Sequence, residues 1–144
     1  MQLIKATYTG HTSAIYQLAV FEENKFASCS EDKTIIIWDK NKFQPESKLT
    51  GHVVGINAIL RIKKPNVLVS AGKAGTLNVW EFESKYHESL LSTVYGDPCN
   101  GKNCLIEFCL GKVLLVNNKQ LEIIDIVKGQ VETKISLKFI FCFI

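Results

Sequence analysis

Two stretches of this 144-residue chain place a histidine near a hydroxyl, and one of them adds an acid. His11 is followed by Ser28 and Asp32, and His52 by Ser70. Imidazole, hydroxyl and carboxylate are the parts of a nucleophilic relay, in which histidine takes the hydroxyl proton and the acid orients the ring. Histidines repeated in this way could equally be metal ligands. Each set, however, closes on a tryptophan, Trp38 and Trp80, which neither chemistry requires.

The remaining reactive side chains form no recognisable site. His87 lies in "HESLL", which lacks the second histidine of a zinc-protease helix and reads as a surface or outer-strand residue. "GKAGT" at 72–76 lacks the spacing of a phosphate-binding loop and falls between two strands. The five cysteines include Cys99, Cys104 and Cys109, spaced by five, which fits no common zinc pattern. Buried apolar thiols are the better reading. No cofactor or metal is expected, and no enzymatic activity.

The elements that carry these residues are short strands. "IIIW" at Ile35–Trp38, "VLVS" at Val67–Ser70 and "LNVW" at Leu77–Trp80 are β-branched or aromatic runs. Turn-forming residues separate them, and no stretch of eleven or more shows helical apolar spacing. The strands recur every 8 to 12 residues, as in an all-β sandwich, barrel or propeller. The repeat decides among these. His11 and His52 are 41 residues apart, and Trp38 and Trp80 are 42 apart. Gly-His near the start and Trp-acid at the end of a unit in the low forties is the signature of a WD-repeat blade. Residues 10–81 therefore resemble the WD-repeat β-propeller family, and the resemblance extends more weakly to about residue 137.

That resemblance implies an all-β fold: a partial β-propeller of about three four-stranded antiparallel blades in an incomplete ring. Residues 2–9 would form the outer strand of a closing blade, with Gln2–Tyr8 extended. Blade one would take 10–50, with strands Ala14–Val20, Lys25–Cys29, Thr34–Trp38 and Phe43–Leu49. Blade two would take 51–95, with strands Ile56–Ile62, Val67–Ser70, Thr76–Trp80 and roughly Glu88–Val94. A degenerate blade three would take 96–137, with strands Cys104–Cys109, Val113–Val116, Gln120–Asp125 and Gln130–Leu137. There Gly96-Asp97 stands in for Gly-His and Ile124-Asp125 for Trp-Asp. Residues 138–144 would be an apolar tail.

The resemblance also reassigns the opening residues. In the family the turn aspartate accepts from the histidine, the histidine bonds a hydroxyl on the second strand, and that hydroxyl accepts from the indole. His11, Ser28, Asp32 and Trp38 fill all four positions. His52, Ser70 and Trp80 fill three, with Ala74 where the aspartate belongs, so blade two should be one member short and less firmly locked. A satisfied buried network fixes strand register and is a better account of these histidines than chemistry. Partner contacts in the family lie three and five positions after the histidine and just before the turn acid. Carried over, these are Ala14, Tyr16 and Glu31 in blade one, and Gly55, Asn57 and Lys73 in blade two. Tyr16 offers a large amphipathic contact area; its other role is packing between blades. The Trp-Asp-x-Arg variant that binds ligase adaptors is absent, since Lys40-Asn41 follow Trp38-Asp39, which speaks against a cullin-ligase substrate receptor of that type.

Composition sets the surroundings. A 47% hydrophobic and 22% charged chain with net charge +3 suits a soluble globular domain. Only Arg61 among the 17 basic residues is an arginine and the lysines are scattered, which argues against a dedicated nucleic-acid surface. The odd cysteine count, the lack of a signal peptide and the lack of a glycosylation triplet point to a reducing intracellular compartment, cytoplasmic or nuclear. No membrane association is expected; "FIFCFI" is too short for a span. The leading expectation is a noncatalytic scaffold binding protein or peptide partners. The second is a WD-repeat component of a ribonucleoprotein or ribosome-assembly particle. Three blades leave open edges and an apolar face, so the chain reads as an N-terminal fragment. Its ring would need further blades from the rest of a longer chain, from copies of itself or from another chain.

Overall fold

The computed structural model describes residues 7–63, 66–84, 87–95, 104–109, 111–116 and 120–136. Among the described residues, twelve strands fold into three sheets of four, each a simple antiparallel meander. Blade one is β1 (Ile15–Glu22), β2 (Lys25–Ser30), β3 (Thr34–Asp39) and β4 (Gln44–Thr50). Blade two is β5 (Ile56–Ile62), β6 (Val67–Gly72), β7 (Thr76–Ser84) and β8 (His87–Tyr95). Blade three is β9 (Cys104–Cys109), β10 (Lys112–Val116), β11 (Gln120–Asp125) and β12 (Gln130–Ser136). The strand positions agree with the repeat to within two residues at most ends. Thr7–Gly10 is irregular, and the rest of the expected strand at Gln2–Tyr8 lies outside the described residues. Gly96-Asp97, Cys99 and the 138–144 tail also lie outside them.

Alternation along each strand builds the core, because successive side chains point to opposite faces. Ile35 and Ile37 of β3 pack with Ala27, Cys29 and Leu49 against Ile56, Ile59, Leu68 and Trp80 of blade two. The opposite face of blade two, with Val69, Ala71, Leu77 and Val79, packs against Leu105, Val113, Leu115 and Ile124 of blade three. Each blade thus lays one face on its neighbour, and the first strands β1, β5 and β9 stand side by side. A hydrogen bond crosses between β1 and β5: the Ile59 N–H donates to the Gln17 side-chain oxygen at 2.9 Å. It satisfies a donor on the unpaired edge of β5, which forms its ladder with β6 alone.

Among the described residues the ring is open. Leu18, Ile59 and Leu105 occupy one register position, each opposite the central residue of the second strand, Ser28, Ser70 or Leu115. Ile59 is 1% exposed and Leu105 7%, because a preceding blade covers them, whereas Leu18 is 61% exposed. Ile15 and Val20 are exposed beside it, and Ile106 and Ile135 on blade three.

Candidate functional site

The His11 ring sits at the mouth of blade one, carried by the loop that enters β1. Its Nδ1 lies 2.8 Å from Asp32 Oδ2 and its Nε2 lies 2.7 Å from Ser28 Oγ. The Trp38 indole N–H donates to the same Ser28 Oγ at 2.7 Å. An indole can only donate, so the serine oxygen accepts there and its own proton is left for Nε2. In the tautomer with the ring proton on Nδ1, that nitrogen donates to Asp32 and Nε2 accepts from Ser28. The order of bonds is that of a Ser–His–Asp relay, yet Ser28 is 1% exposed and its oxygen is capped by the indole. No substrate can reach it, and the arrangement acts as a cross-strand lock.

Asp32 anchors the turn as well as the ring. It accepts from the Thr12 N–H at 2.9 Å, the Thr34 N–H at 3.0 Å and the Thr34 hydroxyl at 2.6 Å. Burial works against its charge, but the bonds from Thr34, Thr12 and His11 outweigh it and hold the carboxyl far below the usual range. Gly10 is needed because a Cβ there would lie 2.8 Å from the Trp38 ring. Tyr8, Phe26 and Phe43 complete an aromatic cluster around that indole.

Blade two repeats the lock with one exchange. His52 Nε2 lies 2.8 Å from Ser70 Oγ, and the Trp80 indole donates to that oxygen at 2.8 Å. Ala74 provides no carboxylate. The Thr76 hydroxyl, 3.2 Å from His52 Nδ1, takes the fourth position. The expected gap is therefore filled, by a neutral group. Without an acid to stabilise its charge, burial pushes the His52 imidazole down to about 4.

Blade three dispenses with the lock. Leu115 stands at the serine position and Ile124 at the tryptophan position, both buried in the interface with blade two. Asp125 retains the turn role of Asp39. Its carboxylate accepts from the Val127 and Lys128 N–H groups at 3.0 and 2.9 Å, as Asp39 accepts from Asn41 at 2.8 Å.

A second cluster lies where the turns of blades one and two meet. Glu31 and Lys73 occupy the same position in consecutive blades, and each is anchored by its own N–H, Glu31 to Ala14 O and Lys73 to Gly55 O. The Lys73 ammonium lies 2.5 Å from Glu31 Oε2, donates to the Tyr16 hydroxyl at 3.1 Å and sits 4.9 Å over the Tyr16 ring. Lys73 and then Tyr16 draw the Glu31 carboxyl below its usual range, and Glu31 and Tyr16 raise Lys73. Gly55 makes room, since a Cβ there would lie 2.5 Å from Glu31 Oε2.

Comparison with known proteins fits this geometry. The family described as "WD domain, G-beta repeat" matches residues 3–39. The chain is 29% identical over 79 residues to DDB1- and CUL4-associated factor 10 of Xenopus laevis, covering 54% of this chain and 17% of that protein. It is 33% identical over 84 residues to Pre-mRNA-splicing factor PRP46 of Candida albicans, covering 57% and 22%. It is 34% identical over 62 residues to Nuclear distribution protein nudF of Aspergillus niger, covering 42% of this chain. Residues 3–39 are thus matched to a WD repeat, and blade two repeats the same lock. The chain matches about a fifth of the length of the first two of these relatives.

Within a WD-repeat blade the residues singled out from sequence fall into two groups. His11, Ser28, Asp32 and Trp38, with His52, Ser70 and Trp80, form the two locks. Of the six contact positions, Ala14, Tyr16, Glu31 and Lys73 reach the surface, whereas Gly55 and Asn57 are buried. Sequence reasoning missed Thr76, whose signal was its match to Thr34 two residues after the turn acid. It also missed the Tyr16–Glu31–Lys73 contact, which exists only once two blades are stacked. Among the described residues, no group of three His, Cys, Asp or Glu could hold a metal, and no helix is long and apolar enough to cross a membrane.

Proposed function

We propose that this WD-repeat chain is a noncatalytic scaffold that presents the blade-turn face around Tyr16 to a protein or peptide partner. The observation that carries this reading is the division of the polar residues. The His–Ser–Trp sets are buried and self-satisfied, whereas Tyr16, Glu31 and Lys73 gather at the surface around an aromatic ring. A partly exposed tyrosine beside charges is the composition of an interface anchor. Exposed Leu18, at a position buried in the next two blades, supports a ring completed by further blades, whether from a longer chain, a copy or another protein. The relatives' names, which speak of splicing and nuclear distribution, favour an intracellular setting.

The test is retention of binding partners by the wild-type protein, Tyr16→Ala and Glu31→Lys, with urea midpoints measured alongside. Loss of the same partners from both folded variants is expected; unchanged partners would remove the face from consideration. The likeness to a splicing factor favours a second reading, as a component of a ribonucleoprotein particle. RNA binding that weakens steeply with salt is the result that reading requires.

A further inference from the structure

Tyr16 and Glu31 belong to blade one, and the cation they hold belongs to blade two. A carboxylate, a phenol oxygen and the face of an aromatic ring converge on one ammonium, at 2.5 Å, 3.1 Å and 4.9 Å. That donor set is built for a positive charge on a flexible stem. It does not require that charge to come from Lys73. The Glu31 and Lys73 side chains are each 38% exposed and Tyr16 is 44% exposed; Glu31 Oε2 itself is covered, so another cation reaches it once the Lys73 side chain swings out. An ion pair this exposed is exchangeable, because solvent and salt compete for both charges. The Lys73 backbone is held independently, by its N–H to Gly55 O at 3.0 Å, so its side chain can leave without moving the turn.

We propose that Tyr16 and Glu31 form a recognition site for a cationic side chain, lysine or arginine, of a partner peptide, and that Lys73 fills the site from within when no partner is bound. The proposal rests on the interaction-face reading above and gives that face its partner chemistry. Lys73 is then an intramolecular competitor. A site occupied from within most of the time has its apparent affinity lowered by the unoccupied fraction, so deleting the competitor recovers that factor.

The experiment titrates labelled Ala-Ala-Lys-Ala-Ala, its arginine counterpart and its norleucine counterpart into the 144-residue protein, followed by fluorescence polarisation. Lys73→Ala should tighten both cationic peptides by about fivefold and leave the norleucine peptide unchanged. Lys73→Met, which keeps the stem and removes the charge, should do the same. Glu31→Gln added to Lys73→Ala should erase the preference for the charged peptides. Equal or weaker cationic binding by both Lys73 variants, or none by either at millimolar peptide, overturns the proposal. If Tyr16→Ala still releases partners in that case, the interaction face stands and only the self-occupied cation site falls.

Discussion

Removing the Ser28 hydroxyl tests the lock most directly. Ser28 Oγ receives the Trp38 indole N–H at 2.7 Å and bonds His11 Nε2 at 2.7 Å. Ser28→Ala leaves both nitrogens in place with nothing to bond, and the side chains of Trp38 and His11 are too buried to reach water instead. Each orphaned group costs roughly 1–3 kcal/mol, so a loss of about 2–6 kcal/mol is expected for the two. With a urea slope of about 2 kcal/mol/M for a chain of this size, the midpoint in far-UV circular dichroism should fall by about 1–3 M. Trp38→Phe removes the orphaned indole donor while keeping most of the aromatic volume. Combined with Ser28→Ala it should therefore cost less than the sum of the two, by about 1 kcal/mol or more. Ser70→Ala should reproduce the single-variant loss in blade two, where both bonds are 2.8 Å. A Ser28→Ala loss under about 0.5 kcal/mol, or strict additivity with Trp38→Phe, would show that the bonds seen around the hydroxyl do not hold the sheet.

Three further outcomes are expected. The folded-state value of His52, about 4, lies below its value of 6.5 in the unfolded chain, so the unfolded state binds more protons between them. Stability should be fully present above pH 6.5 and fall by up to about 3 kcal/mol as the pH drops to 4; Ala74→Asp, supplying the acid that blade one has in Asp32, should shrink that fall, and urea midpoints across the window measure both. Lys33 has φ 71°, and its blade-two counterpart is Gly75 at 77°; Lys33→Gly should raise stability by about 0.5–1 kcal/mol in thermal melts, and a loss would contradict the strain assigned to this turn. Glu122 is 0% exposed, 3.5 Å from Lys134 Nζ, at the position Ile36 holds in blade one; Glu122→Ile should be neutral or stabilising by about 1 kcal/mol, and a large loss in urea would mean the pair is net favourable.

Much of this was legible because the repeat writes the same residue type at the same register position. Trp38 and Trp80 marked the third strands, and the spacing from His11 and His52 marked the second-strand hydroxyls. Blade three was legible in its strands, since Cys104–Cys109 and Gln120–Asp125 are apolar runs between turn residues, but not in its interior. Nothing in Leu115 or Ile124 alone says that they replace a serine and a tryptophan; only the ladder pairings do. The surface cluster was legible as positions and illegible as a contact. Glu31 and Lys73 are 42 residues apart, and what joins them is the stacking of two sheets. The Gln17–Ile59 bond is of the same kind. It depends on how closely one blade's first strand approaches the next.

The loss of the lock in blade three changes what keeps its strands from sliding. A shift of two residues returns every side chain to its own face, so packing alone discriminates weakly against it. In blades one and two such a slip would pull the hydroxyl from its indole and its imidazole together. In blade three, sliding "KVLLV" against "QLEIID" exchanges one aliphatic contact for another, except at Glu122. There a slip would carry the buried carboxylate away from Lys134. Glu122, whose replacement by isoleucine should not weaken the sheet, is thus the position at which blade three distinguishes its near-equivalent alignments.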